Sequence, residues 1–287
     1  MFEGKITFER LNDKQFWLRM APGLNVENDD LFSQKYLLPF DDDRLAAIRA
    51  RVVTEGYFDI EDLPWTAPIA GMAELVAALH RQKFPTVFAF VYDEFWAIYY
   101  AINRAIESVL GAGFYRLPDF WAWYIDAATA ESGWKPHRDK LFPALFDDRS
   151  PQSLTIWIPL TDATPLNGCM YLVPADRDPG YGKPQPQPNQ FKYEDIRALP
   201  AKAGTVLSWN QCVLHWGAHS SPRAASPRIS MAMEFQSGKV KAMNSPLSNP
   251  YDCPRLKFRL KLIGKQMLQY KHMYPLTVDM EKIAQRL

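Results

Sequence analysis

His137 and Asp139 are separated by a single residue and follow an aromatic, apolar stretch of the chain. If this segment is extended, residues i and i+2 project to the same face. The imidazole of His137 and the carboxylate of Asp139 could then bind one metal ion together, with Arg138 directed away from it. A His-x-Asp tripeptide is common by chance. Metal binding here therefore needs a further ligand from elsewhere in the chain.

The further ligand is expected to be a histidine on a distant strand, because a non-haem ferrous site uses two imidazoles and one carboxylate. His215 follows an apolar run and lies 76 residues after Asp139. His219, four residues later, falls in a predicted turn. We favour His215, because a ligand on a strand packed into a core is held more firmly than one in a turn.

An arginine opens an apolar strand 13 residues beyond His215, at Arg228. An inward guanidinium is suited to bind a carboxylate through two hydrogen bonds. Ser230 shares its face of the strand and could add a hydroxyl group. Taken alone, Arg228 is better explained as a solvated charge at the strand end, with an anion-binding arginine as the alternative.

Taken together, these residues resemble the iron(II)- and 2-oxoglutarate-dependent oxygenases of the phytanoyl-CoA dioxygenase superfamily. The resemblance covers residues 115–240 well and the segment from Asp41 onward more loosely. It is carried by His137-Arg138-Asp139, the strand and turn at 154–174, the segment 203–207, His215 and Arg228.

The fold that the resemblance implies is a double-stranded β-helix, or jelly roll. This cupin-like core is mainly β and is buttressed by amino-terminal and carboxy-terminal helices. The resemblance also implies a site in which His137, Asp139 and His215 bind Fe(II) and Arg228 binds the distal carboxylate of 2-oxoglutarate.

Further cosubstrate contacts are implied less fully by the family pattern. Trp157 matches an aromatic position that lines the cosubstrate pocket in the family. Family members often carry a small hydroxyl residue two positions after the second histidine, where this chain has Gly217. Ser230, Gln152 or Thr155 would then have to supply the missing hydrogen bond.

The activity implied by the resemblance is oxidation, by default hydroxylation, of an unactivated C–H bond in a small or medium organic molecule. 2-Oxoglutarate and dioxygen would become succinate and carbon dioxide. Desaturation, cyclisation and epimerisation stay open, whereas Asp139 argues against halogenation, since related halogenases carry a small residue there. A non-catalytic jelly-roll binding protein and a zinc hydrolase using the same three ligands are the alternatives from other classes.

The composition predicts a globular chain without strongly charged partners. With 287 residues, 47% of them hydrophobic, the chain can bury a sizeable core. Lys and Arg number 33 against 32 Asp and Glu, for a formal net charge of +1. Neither nucleic acid nor an anionic membrane surface is therefore an expected partner, and nothing in the sequence indicates an oligomeric state.

The cysteines and the apolar segments predict a soluble, cytoplasmic protein. Three scattered cysteines are too few for a disulfide framework and fit a reducing compartment. The first five residues lack the basic and apolar regions of a signal peptide. The most apolar stretch, 84–102, contains Asp93 and Glu94, whose cost in a bilayer argues against a membrane span.

Helices are predicted for most of the amino-terminal third. Residues 1–40 are assigned only to one or two strands and loops. Asp41 to Asp43 favour a helix start, and a regular apolar spacing then runs to Gly56, which suits a helix end. Two more helices are predicted at 72–82 and 93–110, after a short strand at 57–60.

Short strands are predicted for the middle of the chain, at 120–125, 153–160, 170–173, 205–209, 212–216 and 228–235. The segment 174–190 carries five prolines and two glycines and is predicted to be a loop, either an active-site rim or a surface excursion. A last helix is predicted from Leu256 to Tyr270. We therefore expect one oxygenase domain over 1–287, with a helical part at about 40–112, a β-helix core at about 115–240 and a helical segment at about 250–287.

Overall fold

Two antiparallel sheets form the centre of the molecule and helices cover one of them. The computed structural model describes residues 6–129, 134–140, 142, 144–184, 190–273 and 276–287. The strands in chain order are β1 (Tyr57–Ile60), β2 (Tyr115–Ile125), β3 (Ser153–Pro159), β4 (Met170–Val173), β5 (Arg197–Leu199), β6 (Val206–Asn210), β7 (Leu214–Gly217) and β8 (Arg228–Gln236).

The larger sheet has the order β1-β6-β3-β8-β2 and the smaller one the order β5-β4-β7. All of their pairings are antiparallel. The helices are α1 (Phe8–Leu11), α2 (Lys14–Met20), α3 (Asp42–Thr54), α4 (Ile69–Arg81), α5 (Glu94–Ala101), α6 (Asn103–Leu110), α7 (Leu256–Gln269) and α8 (Val278–Arg286). Short 3-10 helices lie at Asp29–Phe32, Gln34–Tyr36, Thr86–Val91, Tyr193–Asp195 and Lys271–Met273.

The strands β3 and β8 are buried along their whole length because both of their faces are covered. On β8, Met231 and Met233 face the core shared with the helices, whereas Ala232 packs with the cluster between the two sheets. On β3, Ile156 and Trp157 divide in the same way. This alternation follows from the two-residue period of a strand. It directs every second side chain of the larger sheet toward the smaller one.

Helix α3 shows how local sequence fixes an element. The Asp41 carboxylate accepts the amide of Arg44 at 2.7 Å, which caps the helix start. Leu45, Ile48 and Val52 are buried at helical spacing, and the helix ends before Gly56, whose φ is +85°. The predicted helix start, apolar face and exit are confirmed.

The apolar run at 93–110 forms two helices where the sequence predicts one. The break falls at Ile102, between α5 and α6. The carbonyl of Ala101 accepts the amide of Leu38 at 2.8 Å, so a tertiary contact replaces a helical hydrogen bond there. Asn103, the first residue of α6, is buried and donates to the carbonyl of Pro250 at 3.0 Å.

The strands expected within residues 1–40 are wrong for the described part, which forms α1, α2 and two 3-10 helices. Asp13 caps α2 by accepting the amide of Gln15 at 2.9 Å. Trp17 of α2 is fully buried and donates its indole N–H to the carbonyl of Leu11 at 2.7 Å. Burial of this aromatic residue against the core favours the helix here. Residues 1–5 lie outside the described residues.

The paired antiparallel sheets with flanking helices confirm the predicted fold class. Helices nevertheless hold more of the described residues than strands do. The proline-rich segment forms turns from 175 to 183, and residues 185–189 lie outside the described part. Among the described residues, no helix combines the length and apolarity that crossing a bilayer requires.

Candidate metal centre and cosubstrate site

A single β-bridge brings His137 beside His215. Each residue donates its amide to the carbonyl of the other, at 3.0 Å in both directions. Residues that exchange both hydrogen bonds lie directly opposite each other in an antiparallel pair, and their side chains share a face. The two imidazole rings accordingly lie with their centroids 4.4 Å apart. The bridge therefore extends the smaller sheet, beyond β7, by the segment that carries the His-x-Asp pair.

Asp139 completes a group of three ligands with these histidines. Its Oδ1 atom lies 3.6 Å from Nε2 of His137 and 3.5 Å from Nε2 of His215. One candidate ligand atom from each residue lies within 4.8 Å of the others. The side chain of His137 is 37% exposed and that of His215 only 4%. The triad thus lies at the bottom of an opening and can bind a cation from one side.

Both histidines direct Nε2 to the triad because Nδ1 is already bonded. Nδ1 of His137 lies 2.7 Å from the carbonyl oxygen of Lys135, and Nδ1 of His215 lies 3.0 Å from that of Val213. A carbonyl only accepts, so each Nδ1 must carry the proton. Each Nε2 is then a lone-pair donor, which is the tautomer that a metal ligand requires. The donor set therefore fits a divalent iron ion.

The other oxygen of Asp139 is held by two side chains. The Thr155 hydroxyl donates to Oδ2 at 2.6 Å, and the Trp209 indole N–H donates to it at 3.1 Å. Gln211 in turn donates to the Thr155 hydroxyl at 3.3 Å. Thr155 and Trp209 are register partners on β3 and β6. This pair fixes the carboxylate so that Oδ1 alone faces the histidines.

The electrostatics of the triad favour deprotonated His215 and Asp139, whereas His137 would release a proton when a cation binds. Burial lowers the pKa of His215 to about 4. Burial opposes ionisation of Asp139, yet the neighbouring His215 and His137 outweigh it and hold the pKa of that carboxyl well below its usual range. Burial also disfavours charge on His137, whereas its hydrogen bond with Asp139 raises the pKa of that imidazole above its ordinary value.

Arg138, between the two ligands, bonds away from the triad. Its guanidinium forms a two-pronged ion pair with Asp178, at 2.5 and 2.9 Å, and donates to the carbonyl of Cys212 at 2.9 Å. Both side chains of the pair are buried. Asp178 belongs to the proline-rich segment, so this pair attaches the start of that segment to the metal-binding strand.

Arg228 lies at the inward start of β8, over the ring of Trp157 at 5.8 Å. The residue is 3% exposed and donates to the carbonyl of Gly168. Its buried Nε has no partner, and no carboxylate among the described residues forms an ion pair with it. Burial lowers the pKa of this guanidinium to about 10. An uncompensated buried cation fits an anionic cosubstrate such as 2-oxoglutarate.

The remaining predicted site residues divide into three groups. Ser230 shares the inward face of Arg228 but is not among the residues that line the cavity, and its buried hydroxyl has no partner among the described residues. The hydroxyl of Thr155 donates its hydrogen bond to Asp139. Gln152 lies outside the cavity lining, and its side-chain amide donates to the carbonyl of Leu145 at 2.9 Å. We therefore expect neither of these two to contact the cosubstrate. His219, the rival histidine, is exposed and lies outside the triad.

The triad and Arg228 open into one cavity of about 240 Å³. Lys140 and Glu234 also line it and form an ion pair at 2.9 Å. Lys140 was a candidate for contacting an acidic substrate group, with a solvated surface charge as the favoured alternative, whereas Glu234 was not among the predicted site residues. Burial raises the pKa of Glu234, whereas the Lys140 ammonium paired with it favours the ionised carboxylate. Because side chains of a strand alternate between its two faces, every second residue of β8 from Arg228 onward faces inward, and this pattern would have indicated Glu234.

A family model described as phytanoyl-CoA dioxygenase (PhyH) matches residues 39–225, which is more than half of the chain. The chain belongs to this family. Membership in the phytanoyl-CoA dioxygenase family, together with the His-Asp-His triad, confirms the predicted class of enzyme. The protein is a non-haem iron, 2-oxoglutarate-dependent oxygenase.

Several solved structures share the fold of this family member at low sequence identity. The non-heme monooxygenase ThoJ has a TM-score of 0.55 at 16% identity, over 77% of this chain and 99% of its own. EctD from S. alaskensis has a TM-score of 0.52 at 16% identity, over 78% and 90%. The epimerase SnoN, in complex with Fe3+, alpha ketoglutarate and nogalamycin RO, has a TM-score of 0.50 at 17% identity, over 69% and 85%. A search of curated protein sequences found no match.

Proposed function

We propose that this oxygenase hydroxylates an unactivated C–H bond of a small or medium organic molecule, with 2-oxoglutarate and dioxygen converted to succinate and carbon dioxide. The whole chain would act as one catalytic domain, in the cytoplasm. Three free cysteines, two of them buried, are consistent with that compartment.

The proposed iron ligands are His137, Asp139 and His215. The observation that carries this assignment is the convergence of both Nε2 atoms on Asp139 Oδ1, at 3.6 and 3.5 Å, while each Nδ1 is bonded to a carbonyl. Two imidazoles and one carboxylate leave further positions open for a cosubstrate and dioxygen. Bound iron supplies the activation of dioxygen that protein side chains cannot perform.

Arg228 would bind the distal carboxylate of 2-oxoglutarate and set the orientation of the cosubstrate. Its guanidinium offers donors in a fixed fork that matches a carboxylate. Trp157, under the guanidinium, would form the adjacent wall, and Ser230, two positions further on the same face, would donate its hydroxyl. Ser230 would then take over the contact that the family pattern assigns to the position of Gly217.

The outcome of the oxidation depends on which substrate atom lies closest to the metal. Thr155 and Trp209 hold Asp139 in one orientation, so a metal bound by Asp139 would keep a defined position in the cavity. Among the similar folds, ThoJ is named a monooxygenase and SnoN an epimerase. We propose hydroxylation because it needs no second positioned group after hydrogen abstraction.

The proposal is tested by absorption spectroscopy under anaerobic conditions. Fe(II) with 2-oxoglutarate should give a weak visible charge-transfer band, and Arg228→Ala should lose it at modest cosubstrate concentration. Arg223→Ala, which removes an exposed arginine nearby in sequence, is the matched control and should keep the band. Absence of a band from the wild-type protein would refute the proposal, and dependence on zinc alone would favour a hydrolase.

The choice of histidine is tested by metal stoichiometry. His215→Ala should abolish stoichiometric Fe(II) binding, because it removes one of three ligands from a buried position. His219→Ala removes an exposed imidazole four residues away and should bind one equivalent. The opposite pattern would show that the site uses the other histidine.

A further inference from the structure

The cavity has two chemically different ends. Arg228 and Glu234 both face inward from β8 and are six residues apart, which places their backbones about 20 Å apart. Thr155, the register partner of Glu234, bonds to the ligand Asp139. If 2-oxoglutarate extends from the metal toward Arg228, as the proposed function requires, the end at Glu234 is left for the second substrate.

With Glu234 ionised in its pair with Lys140, this end of the cavity carries an excess of negative charge. Asp119 is buried there and accepts from Asn244, Gln269 and Tyr270, none of which carries a positive charge. Lys140 is the one cation that pairs with Glu234 among the described residues. Two carboxylates thus share one ammonium group. A substrate carboxylate would be repelled here, whereas a group that donates hydrogen bonds would be bound.

Glu234 keeps acceptor capacity for such a group. A carboxylate can accept about four hydrogen bonds, and among the described residues the side chain of Glu234 accepts one, from Lys140 at 2.9 Å. The side chain is only 4% exposed, so a hydrogen bond made to it is shielded from water. Such a bond is stronger than one made at the surface.

Aromatic rings form the wall beside this polar group. Trp121 and Trp123 project from the same face of β2 and stack with their planes 6° apart and their centroids 5.8 Å apart. Tyr270, at the end of α7, packs edge-on to Trp121 at 5.4 Å. Across the sheet, the register partner of Trp121 is Ala232, whose small side chain leaves space next to the rings. A flat wall with a gap beside it favours a flat ligand.

We propose that this end of the cavity binds the substrate, and that the substrate is a flat, conjugated molecule with an ammonium or hydroxyl group that donates to Glu234. This inference rests on the proposed function, since it takes the Arg228 end as the cosubstrate site. Glu234 and Tyr270 lie beyond the family-matched residues 39–225. The aromatic wall of Trp121 and Trp123 lies within that segment.

A coenzyme A thioester does not fit the proposed end. Its phosphates would need several free cations. Among the described residues that line the cavity, Arg138 is paired with Asp178, Lys140 is paired with Glu234, and Arg228 lies at the cosubstrate end.

The test is calorimetric binding to the anaerobic protein loaded with Fe(II) and 2-oxoglutarate, with the charge-transfer band as proof of loading. The probes are 1-naphthylmethylamine, 1-naphthylmethanol, 1-naphthoic acid, the decahydro analogue of the amine, and hexadecanoyl-CoA. We expect the amine and the alcohol to bind at least roughly tenfold more tightly than the acid, as a hydrogen bond to a buried charge implies. The decahydro amine should bind a few-fold more weakly than the amine, and the thioester should not bind.

Two variants localise the effect. Glu234→Gln should remove most of the preference for the amine over the acid, whereas Glu107→Gln, a carboxylate on α6 outside the cavity lining, should leave it unchanged. Trp123→Leu should weaken the naphthyl probes and leave the decahydro amine unaffected.

Equal or tighter binding of the acid overturns the inference, as does binding of the thioester or no naphthyl binding at millimolar concentration. If the charge-transfer band is present in that case, the proposed function stands and the substrate class is wrong. If the band is absent, the proposed function itself fails, and this inference fails with it.

Discussion

Arg228 and Arg259 are buried arginines in different parts of the molecule, and they are partnered in opposite ways. Arg259, on α7, forms an ion pair with Asp93 and donates to the carbonyls of Val91 and Pro254. Among the described residues, Arg228 donates to a carbonyl and a thioether sulfur, lies over the ring of Trp157 and forms no ion pair with a carboxylate. The arginine among the helices is neutralised by the fold, whereas we propose that the cosubstrate anion neutralises the arginine in the cavity.

An unpaired nitrogen alone does not mark a binding site. Arg116, near Arg259, also has two buried guanidinium nitrogens without hydrogen-bond partners in the described part of the chain, and burial lowers its pKa to about 9. It lies outside the cavity lining, however, and donates to the carbonyls of Asn249 and Asp252. What distinguishes Arg228 is the combination of an uncompensated charge with access from a cavity.

The largest effect is expected on stability, from Arg259→Met. Removing one partner of a buried ion pair leaves Asp93 charged and unpaired, which should lower the free energy of unfolding by about 3–5 kcal/mol. The control Arg255→Met removes the exposed pair with Asp29 and should leave the free energy of unfolding nearly unchanged, because water screens an exposed pair. Urea unfolding measures both. Equal losses would show that burial of the pair is unimportant.

Arg228→Met should weaken ligand binding rather than stability, the opposite of what we expect for Arg259→Met. We expect the affinity for 2-oxoglutarate to fall by about 2–4 kcal/mol, roughly 30- to 1,000-fold. Without cosubstrate, the free energy of unfolding should be unchanged or higher, because an uncompensated buried cation is removed. Anaerobic calorimetry and urea unfolding give the two quantities. A stability loss as large as that of Arg259→Met would assign Arg228 to the fold instead.

Ligand linkage separates the two arginines in one experiment. With Fe(II) present, 2-oxoglutarate at 100 times its dissociation constant should stabilise the wild-type protein by about 2.7 kcal/mol. Arg259→Met should show the same increment from its lower baseline, whereas Arg228→Met should show little at the same concentration. Thermal unfolding with and without the cosubstrate measures the increment, and a similar gain in both variants would contradict the assigned roles.

The smallest effect is expected where a group acts through a metal ligand. Thr155→Val and Trp209→Phe each remove one hydrogen bond to Asp139 Oδ2. Loss of such an outer contact should weaken Fe(II) binding by roughly 10- to 100-fold. Thr129→Val, at an exposed threonine, is the control in the anaerobic metal titration. No change in either variant would mean that Asp139 is oriented by its backbone alone.

The sequence predicted the elements whose signals are local. Asp41 and the spacing of Leu45, Ile48 and Val52 located α3, since capping and helical period are set within one segment. The break at Ile102 could not be predicted, because it depends on a hydrogen bond from Leu38, which lies far away in the chain. The helices of residues 8–20 were missed because their apolar spacing is short and is stabilised mainly by packing.

In the candidate site, too, only residues with a local signal were predicted. His137, Asp139, His215 and Arg228 have side chains whose chemistry is diagnostic, so their identity and order were enough to single them out. Trp209 was not found, because an indole is usually core and its bond to Asp139 depends on the register of β6 against β3. The register between two strands that are distant in the chain cannot be predicted from the sequence of either strand alone.

The bridge between His137 and His215 joins residues 78 positions apart (215 − 137), so two of the three proposed ligands meet only when a long loop closes. Loop closure of this length has an entropic cost that local structure does not offset, and such nonlocal pairings form slowly. The two amide hydrogens that span the bridge should therefore exchange with solvent whenever the loop opens. Their exchange rates would report assembly of the site independently of turnover. A bound metal ion would be held by residues on both sides of the bridge and should therefore slow the exchange of both amides together.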